Sequence, residues 1–289
     1  MNRTTALALT AVLVLAGTHG AQALPIVGAS ANTIPAGTFM LDTWGIWQSF
    51  TMSWDESQNG DSGWIGFRDG THITAGSFVP RVYYGVTDWL TVRAALPIED
   101  RYGEFESWEA GRSNTGLGDI IVDPKIQVYR GDDGYPRAAV LIGVRFPTGD
   151  TDGVDDYRTL ALSDGSTDYM AGGVITHRVG PVVGHACATY WANGTKASGS
   201  NAEDLWAVLF SLENDLNENW TILWEFKGVY GRAPSEFHRT YVIPGIMWHS
   251  KRVSVGVSSL VSMEAVGKAG ISTLDYDWAP YLRLYYRFF

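Results

Sequence analysis

Charged side chains stand at alternate positions within several apolar segments of this sequence. In the segment 281–289, YLRLYYRFF, Arg283 and Arg287 fall on one side of a two-residue period, and Leu282 and Leu284 fall on the other. Successive side chains of a β-strand point to opposite faces of its sheet. The alternation therefore predicts strands with one apolar and one charged face.

Charges that share the inner face of a closed sheet can serve either of two purposes. Around a water-filled passage, rings of charge set the selectivity of a pore. In a narrow interior, arginines and carboxylates instead pair with one another and brace or plug the barrel. The candidates for this inner, pore-lining face are Arg81, Arg93, Asp119, Asp123, Lys125, Arg137, Arg145, Asp168, Glu213, Glu225, Lys227, Arg239, Arg283 and Arg287.

The histidines and the single cysteine form no recognisable catalytic or metal-binding pattern. His177, His185, His238 and His249 lie in or beside predicted strands, without the H-x-x-x-H spacing of a zinc site. The G-x-S-x-G turn of serine hydrolases does not occur, and Cys187 lies within a predicted strand. We therefore predict no catalytic residue, no metal ion and no cofactor. An integral membrane hydrolase is kept as a less favoured alternative, ahead only of a soluble secreted β-sandwich.

The segment 148–165 is rich in acidic residues. Its aspartates lack the full spacing of a calcium-binding loop. We predict a solvated external loop that divalent cations bridge to the phosphates of lipopolysaccharide. Leu160–Leu162 within it either packs on the rim, which is favoured, or folds inward as a constriction. The aspartates are Asp150, Asp152, Asp155, Asp156 and Asp164.

Two kinds of connector alternate strictly along the chain. Short turns, as at 85–88, follow and precede long polar connectors, as at 49–74, 99–115 and 263–277. Transmembrane barrels show the same asymmetry between tight periplasmic turns and long external loops. From these connectors we predict twelve strands, and ten or fourteen are the alternatives. The twelve predicted strands are 38–48, 75–84, 89–98, 116–129, 136–147, 166–177, 182–192, 203–215, 220–230, 239–249, 252–262 and 278–289.

The composition suits a barrel that faces lipid. The chain has 12 Trp, 14 Tyr, 11 Phe and 33 Gly, and only 18% of its residues are charged. Its net charge of −10 argues against nucleic acid as a partner, and its single cysteine excludes a disulfide scaffold. A sheet that crosses lipid must pair every backbone group and therefore closes. We predict an all-β fold, an antiparallel transmembrane β-barrel.

The N-terminus has the pattern of a secretory signal peptide. Arg3 supplies a positive charge, residues 7–15 are apolar, and Ala21-Gln22-Ala23 is a cleavage site of the A-x-A type. We predict cleavage near Ala23 and a location in the outer membrane of a bacterium. The predicted organisation is a signal peptide at 1–23, an N-terminal periplasmic or plug segment at 24–36, and one barrel domain at 37–289.

Several stretches of the sequence resemble a family of bacterial outer membrane barrels. They are TGLGDIIVDPKIQVYR (115–130), RFPTGD (145–150) and GSTDYMAGGVITHRVG (165–180), in the order that the family shows, with the turn GVTDW (85–89). The family is named for the MetA pathway of phenol degradation, and its members are treated as outer membrane transporters. The resemblance covers roughly residues 75–289. It implies a transporter-like barrel and supplies no catalytic residues.

These observations favour a barrel that passes small solutes, hydrophobic or aromatic ones included, by passive diffusion. Its predicted partners are outer membrane lipid, lipopolysaccharide, a small solute and the barrel-insertion machinery, which would recognise the aromatic C-terminal strand. The alternatives are a non-conducting structural or interaction barrel, braced by ion pairs in its lumen, and the less favoured hydrolase.

Overall fold

The structure is a computed structural model that describes residues 29–52, 71–104, 112–152, 160–231, 237–267, 274–276 and 279–288, apart from residues 133, 200 and 203. The described residues form fifteen strand segments, and they contain no helix that is long and apolar enough to cross a membrane. The predicted signal peptide lies outside the described residues. The segments are β1 (Phe39–Met52), β2 (Thr71–Thr87), β3 (Leu90–Ala95), β4 (Ile98–Glu104), β5 (Arg112–Leu117), β6 (Ile120–Arg130), β7 (Arg137–Phe146), β8 (Asp168–Val179), β9 (Val182–Ala192), β10 (Leu205–Asn217), β11 (Trp220–Gly231), β12 (Phe237–His249), β13 (Val253–Gly267), β14 (Leu274–Tyr276) and β15 (Ala279–Phe288).

The fifteen segments make twelve barrel strands because three of the strands are interrupted. β3 and β4 pair with different parts of β2. On their other side, β3 pairs with β6 and β4 pairs with β5. β14 and β15 likewise pair with different parts of β1. Because β1 also pairs with β2, the ring closes, and its neighbouring strands are antiparallel. The prediction of a closed, antiparallel barrel of twelve strands is confirmed.

The two faces of the strands differ as the alternation predicts. Leu282 and Phe288 are each 45% exposed, whereas Arg283 and Tyr285 are 3% and 4% exposed. β10 repeats the pattern, with exposed aromatic and aliphatic side chains between buried ones. In a water-soluble domain charged side chains are rarely buried. An apolar outside around a polar inside is the arrangement of a transmembrane barrel.

Several strands extend further than predicted, so the predicted long connectors are too long. Residues 49–52 and 71–74 belong to β1 and β2, although the sequence pattern placed both in a connector. The alternation of apolar and polar residues fades where a strand leaves its apolar environment, but hydrogen bonding to the neighbouring strand continues. The same correction applies to residues 99–104, 112–115, 263–267 and 274–276.

Two of the strand interruptions lie side by side in the wall. The N–H of Gly118, between β5 and β6, donates to the carbonyl of Pro97, between β3 and β4, at 2.9 Å. Proline has no N–H for the ladder, which favours a break at that position. The positions that face inward also change here. Leu117 and Asp123 both have odd numbers, but Leu117 is 42% exposed whereas Asp123 is 5% exposed. The alternation predicted across 116–129 therefore holds only from Ile120 onwards.

Phe210 tests whether the outer face meets lipid, because it lies in the middle of β10 and is 44% exposed. An arginine on the lipid face of a barrel costs ~2–4 kcal/mol at the bilayer midplane and ~0–1 kcal/mol near its surface. We expect Phe210→Arg to lower the free energy of unfolding in lipid vesicles by ~2–4 kcal/mol. Leu216→Arg, near the end of β10, should lower it by less than ~1 kcal/mol. Guanidinium unfolding followed by tryptophan fluorescence measures both, and equal losses would contradict a lipid-facing belt.

Candidate functional site

A cavity of about 190 Å³ lies in the lumen of the barrel. Nine strand segments from around the ring contribute inward side chains to it, so it is a central space and not a groove in one wall. Its lining combines charged, hydroxyl, aliphatic and aromatic side chains. The lining residues are Ala29, Ser30, Tyr83, Thr91, Arg93, Asp123, Lys125, Leu141, Met170, Cys187, Thr189, Ala207, Leu209, Lys227 and Arg283.

A buried ion cluster centred on Asp42 joins β1 to both of its neighbours. Arg283 of β15 donates from Nε to Oδ1 of Asp42 at 3.0 Å and from Nη2 to Oδ2 at 2.9 Å. Nη2 of Arg81 in β2 lies 2.6 Å from the same Oδ2, and the Tyr83 hydroxyl donates to it at 3.2 Å. Two guanidinium groups therefore share one carboxylate, which leaves the cluster with an excess positive charge.

Two further ion pairs join residues that stand directly opposite each other on neighbouring strands. Nε of Arg93 donates to Oδ1 of Asp123 at 2.5 Å, and Nη2 of Arg93 lies 2.5 Å from Oδ2. Arg145 of β7 pairs in a similar way with Asp168 of β8. These charges compensate one another along the wall of the barrel and not across its lumen. Each pair also links two strands side by side.

Lys125 and Lys227 differ from the arginines because neither forms an ion pair with a described residue. Nζ of Lys125 donates to the carbonyl of Ser30 at 3.1 Å. Lys227 lines the cavity without a hydrogen bond to any residue that the structure describes. Glu225, two positions away on the same face of β11, accepts a hydrogen bond from the Ser211 hydroxyl at 3.2 Å. The lumen thus contains two ammonium groups whose hydrogen-bonding capacity is largely unused.

Residues 29–34 lie inside the barrel, at the end where short turns join the strands, and Pro35 and Ala36 are exposed next to them. The N–H of Ala31 donates to Oγ1 of Thr176 at 2.8 Å, and Nε2 of Gln127 donates to the carbonyl of Ala31 at 3.0 Å. The segment is also hydrogen-bonded to Asp88 in the turn between β2 and β3. It forms the floor of the cavity and narrows the lumen at this end. Residues 24–28 of the predicted segment lie outside the described residues.

At the other end, part of the acidic connector folds against the inward faces of β4 and β5. Nδ2 of Asn114 donates to the carbonyl of Leu160 at 3.3 Å, and the Arg101 guanidinium donates to the carbonyl of Ala161. Leu160 and Leu162 are 8% and 5% exposed. Leu160 also has a φ of 54°, a left-handed conformation that is uncommon for leucine. The structure thus has Leu160–Leu162 folded inward, which is the less favoured of the two alternatives that the sequence left open for this stretch.

Two aspartates hold this connector in place. Asp119 lies between β5 and β6, and its Oδ1 accepts a hydrogen bond from the N–H of Gly149 at 3.2 Å. Oδ1 of Asp164 lies 2.9 Å from the N–H and 2.7 Å from the hydroxyl of Ser166. Partial burial acts to raise the pKa of Asp164, but the hydrogen bonds from Ser166 outweigh it, and its pKa lies below the ordinary value. Asp119 thus contacts the loop, although its proposed role is pore lining.

Thr176, His185 and Glu213 form a buried hydrogen-bonded chain. Oγ1 of Thr176 lies 2.9 Å from Nδ1 of His185, and Nε2 of His185 lies 3.1 Å from Oε1 of Glu213. Hydroxyl, imidazole and carboxylate follow one another as in a hydrolase triad. However, all three side chains are at most 3% exposed, and the N–H of Ala31 already occupies the Thr176 hydroxyl. These three hydrogen-bonded side chains therefore anchor the N-terminal segment, and they leave no room for a substrate carbonyl at the Thr176 hydroxyl.

The remaining predicted lining residues lie near the ends of the strands. Arg137 donates from Nε to the carbonyl of Gly134 at 2.6 Å and from Nη1 to Oδ1 of Asn32 at 2.9 Å, so it joins a turn to the N-terminal segment. Arg287 lies near the end of β15 and is half-buried. Arg239 belongs to β12, but its side chain lies outside the described part of the structure.

The sequence interpretation missed Asp42 and Gln127. Asp42 is the single charged residue of β1, and its isolation in an otherwise uncharged strand is a signal that could have identified it. Gln127 shares the parity of Asp123 and Lys125, but the predicted lining included only charged side chains. Neither of their contacts could be anticipated, because both depend on which segment lies opposite in the closed barrel.

Comparison with known proteins places the chain among bacterial barrels. A family model described as "Putative MetA-pathway of phenol degradation" matches residues 61–262. The COG4313 outer membrane channel from Pseudomonas putida F1 superposes with a TM-score of 0.67 at 12% identity, over 89% of this chain and 98% of that one, so this chain has the fold of an outer membrane β-barrel. The CymD monoaromatic hydrocarbon channel (88% and 89% coverage) and the translocator domain of the autotransporter NalP from Neisseria meningitidis (87% and 89%) have TM-scores of 0.47 at 11% identity, too low to support an argument. No curated protein matches the chain in sequence.

Removal of the Asp42 carboxylate should destabilise the barrel strongly. Asp42→Ala leaves the buried Arg81 and Arg283 without their shared partner, and loss of one member of a buried ion pair costs ~3–5 kcal/mol. Arg178→Ala is the control, because the Arg178–Asp215 pair spans 3.8 Å and its side chains are 42% and 40% exposed. An exposed pair contributes ~0–1 kcal/mol. Urea unfolding of the refolded variants measures both losses, and similar values would contradict the special position of Asp42.

Proposed function

Because the chain belongs to the family named for the MetA pathway of phenol degradation, we propose that it is an outer membrane channel that passes small solutes by passive diffusion. The observation that supports this proposal is the cavity of about 190 Å³ inside a closed barrel. Barrels of eight strands are already filled by their side chains, and a larger number of strands leaves a wider lumen. A twelve-strand barrel with this cavity suits a narrow, selective passage and not a wide porin.

The lining of the cavity suits solutes with an apolar or aromatic body. Leu141, Met170 and Leu209 contribute aliphatic and thioether surface, and Tyr83 contributes an aromatic ring. Ligand sites in proteins typically combine such apolar surface with a few polar groups that orient the ligand. The lumen thus offers more than a water-filled bore to an aromatic solute.

We further propose that residues 1–23 are removed on export and that the barrel-insertion machinery recognises the aromatic C-terminal strand. The short turns would then face the periplasm and the long connectors the exterior, where acidic side chains meet lipopolysaccharide through divalent cations. In this orientation, a solute from outside passes the Leu160–Leu162 turn, enters the cavity and leaves past residues 29–36. Both narrow places are built from short segments that a modest rearrangement can displace.

A non-conducting barrel is the second candidate, and the ion pairs of the lumen favour it. The Asp42 cluster and the Arg93–Asp123 and Arg145–Asp168 pairs use much of the inward charge for links between strands. A third candidate, a membrane hydrolase, gains no support from the buried Thr176–His185–Glu213 chain.

Ionic current across a planar bilayer distinguishes the first two candidates. We expect the refolded protein without residues 1–23 to produce discrete current steps of low conductance, with a non-zero reversal potential in a salt gradient. The gel shift between boiled and unboiled samples shows beforehand that the barrel is folded. A folded barrel that remains silent, and that does not admit small solutes into liposomes, would favour the braced structural barrel.

Removal of the lumen segment should widen the passage. A variant that lacks residues 29–36 loses the floor of the cavity, and we expect its single-channel conductance to rise several-fold. Gln127→Leu removes one anchor of the segment, so the segment should leave the lumen more often. We expect openings with the high conductance of the deletion variant to become more frequent, with their conductance unchanged. Single-channel recordings of both variants measure these effects. An unchanged conductance of the deletion variant would show that residues 29–36 are not the constriction.

A further inference from the structure

The charged groups that line the cavity are not balanced. Four cations face one carboxylate, namely Arg93, Lys125, Lys227 and Arg283 against Asp123. Arg93 is neutralised by Asp123, and Arg283 shares Asp42 with Arg81. Lys125 and Lys227 therefore remain as cavity cations without an ion-pair partner among the described residues, together with the excess charge of the Asp42 cluster.

The two lysines approach the cavity from different sides. Lys125 projects inward from β6 and Lys227 from β11, five positions further round the ring of twelve strands. Lys125 uses one of its three N–H groups on the Ser30 carbonyl, and Lys227 uses none on a described residue. Glu225 is the acid nearest to Lys227 along β11, and it lies outside the cavity lining. An ammonium group that is partly removed from water without a partner gains strongly from an anion.

Apolar side chains occupy the surface between these charges. Leu141, Met170 and Leu209 come from β7, β8 and β10, which lie between β6 and β11 in the ring. An apolar cavity of about 150 Å³ in another protein accommodates benzene. A cavity of about 190 Å³ therefore has room for one aromatic ring with a carboxylate attached.

On the basis of the function proposed above, we propose that the cavity is a binding subsite for small organic carboxylates, single-ring aromatic acids in particular. The carboxylate binds the ammonium groups of Lys125 and Lys227, and the ring packs against Leu141, Met170 and Leu209. Flexible lysines suit this role because their charge can follow a solute through the passage, whereas the arginines are held by their carboxylate partners. The subsite favours acids over neutral phenols of the same size.

Binding to the refolded, detergent-solubilised protein tests the subsite without reference to transport. Benzoate is the probe, and benzyl alcohol, acetate and inorganic phosphate are its matched comparisons, measured by isothermal titration calorimetry. We expect benzoate to bind at least tenfold more tightly than benzyl alcohol, which lacks the charge, and than acetate, which lacks the ring. Benzyl alcohol that binds equally well would overturn the role of the lysines. Phosphate that binds equally well would overturn the role of the apolar surface.

Lysine variants localise the effect. Lys227→Met removes the charge and keeps the length of the side chain, so benzoate affinity should fall at least tenfold, whereas Lys227→Arg should retain most of it. Lys125→Met should also weaken binding, and it provides a second test if the first variant does not fold. Lys251→Met is the control, because Lys251 is exposed in the turn between β12 and β13. Benzoate affinity that is unchanged in both lumen variants would overturn the subsite.

Current recordings on the same proteins separate the two proposals. If wild-type protein conducts but binds benzoate no better than the Lys227→Met variant, passage of solutes stands and the carboxylate subsite is overturned. If the folded barrel is silent but binds benzoate through Lys227, the subsite stands and passive passage is overturned. Benzoate should also reduce the current through the wild-type protein, and it should do so at least tenfold less potently for Lys227→Met. That result supports both the passage of solutes and the carboxylate subsite.

Discussion

The contact between Asp42 and Arg283 is the constraint on which the barrel depends. These residues lie 241 positions apart, on the first and last barrel strands, and their bidentate pair lies on the seam where the sheet closes on itself. Open strand edges are not tolerated in hydrocarbon, because each unpaired backbone group there costs several kcal/mol. Since Arg81 reaches the same carboxylate from the other neighbour of β1, one buried acid connects three consecutive strands. At the seam between β1 and β15, the ion pair and the backbone hydrogen bonds therefore both hold the closed barrel together.

Use of arginine for bracing determines what the lysines are left to do. Arg93 and Arg283 are held between strands by bidentate contacts with aspartates, and Arg81 is held by a single contact with Asp42. Lys125 and Lys227 have no such partner among the described residues and face the cavity. Within the described part of the chain, the same lumen thus contains paired arginines and two lysines that form no ion pair. Bracing and the proposed passage of solutes are compatible in this barrel, because different residue types carry them.

The cavity exists because both ends of the lumen are narrowed by segments that are not barrel strands. Ala29 and Ser30 form the floor, and hydrogen bonds of the adjoining Ala31 with Gln127 and Thr176 hold this segment to the wall. At the other end, Leu160 and Leu162 lie buried against the wall. Most of the hydrogen bonds on both segments use main-chain groups, and the side chains of Asn32 and Thr33 add two more. The barrel supplies a stable wall, and the two segments set how much of its lumen is open.

The sequence by itself determined the elements and their faces. Alternation of apolar and polar residues is a local property, and it sufficed to predict twelve strands and the inward side of segments such as 279–288. It failed where a break shifts the parity, at Gly118–Asp119, because a change of one residue reverses every later side chain. Only the tertiary structure decided that Asp42 binds two arginines, that residues 29–34 enter the lumen, and that the two lysines form no ion pair with a described residue. These outcomes depend on strand register and on closure of the ring, which bring together residues far apart in the chain and leave no periodic trace in the sequence.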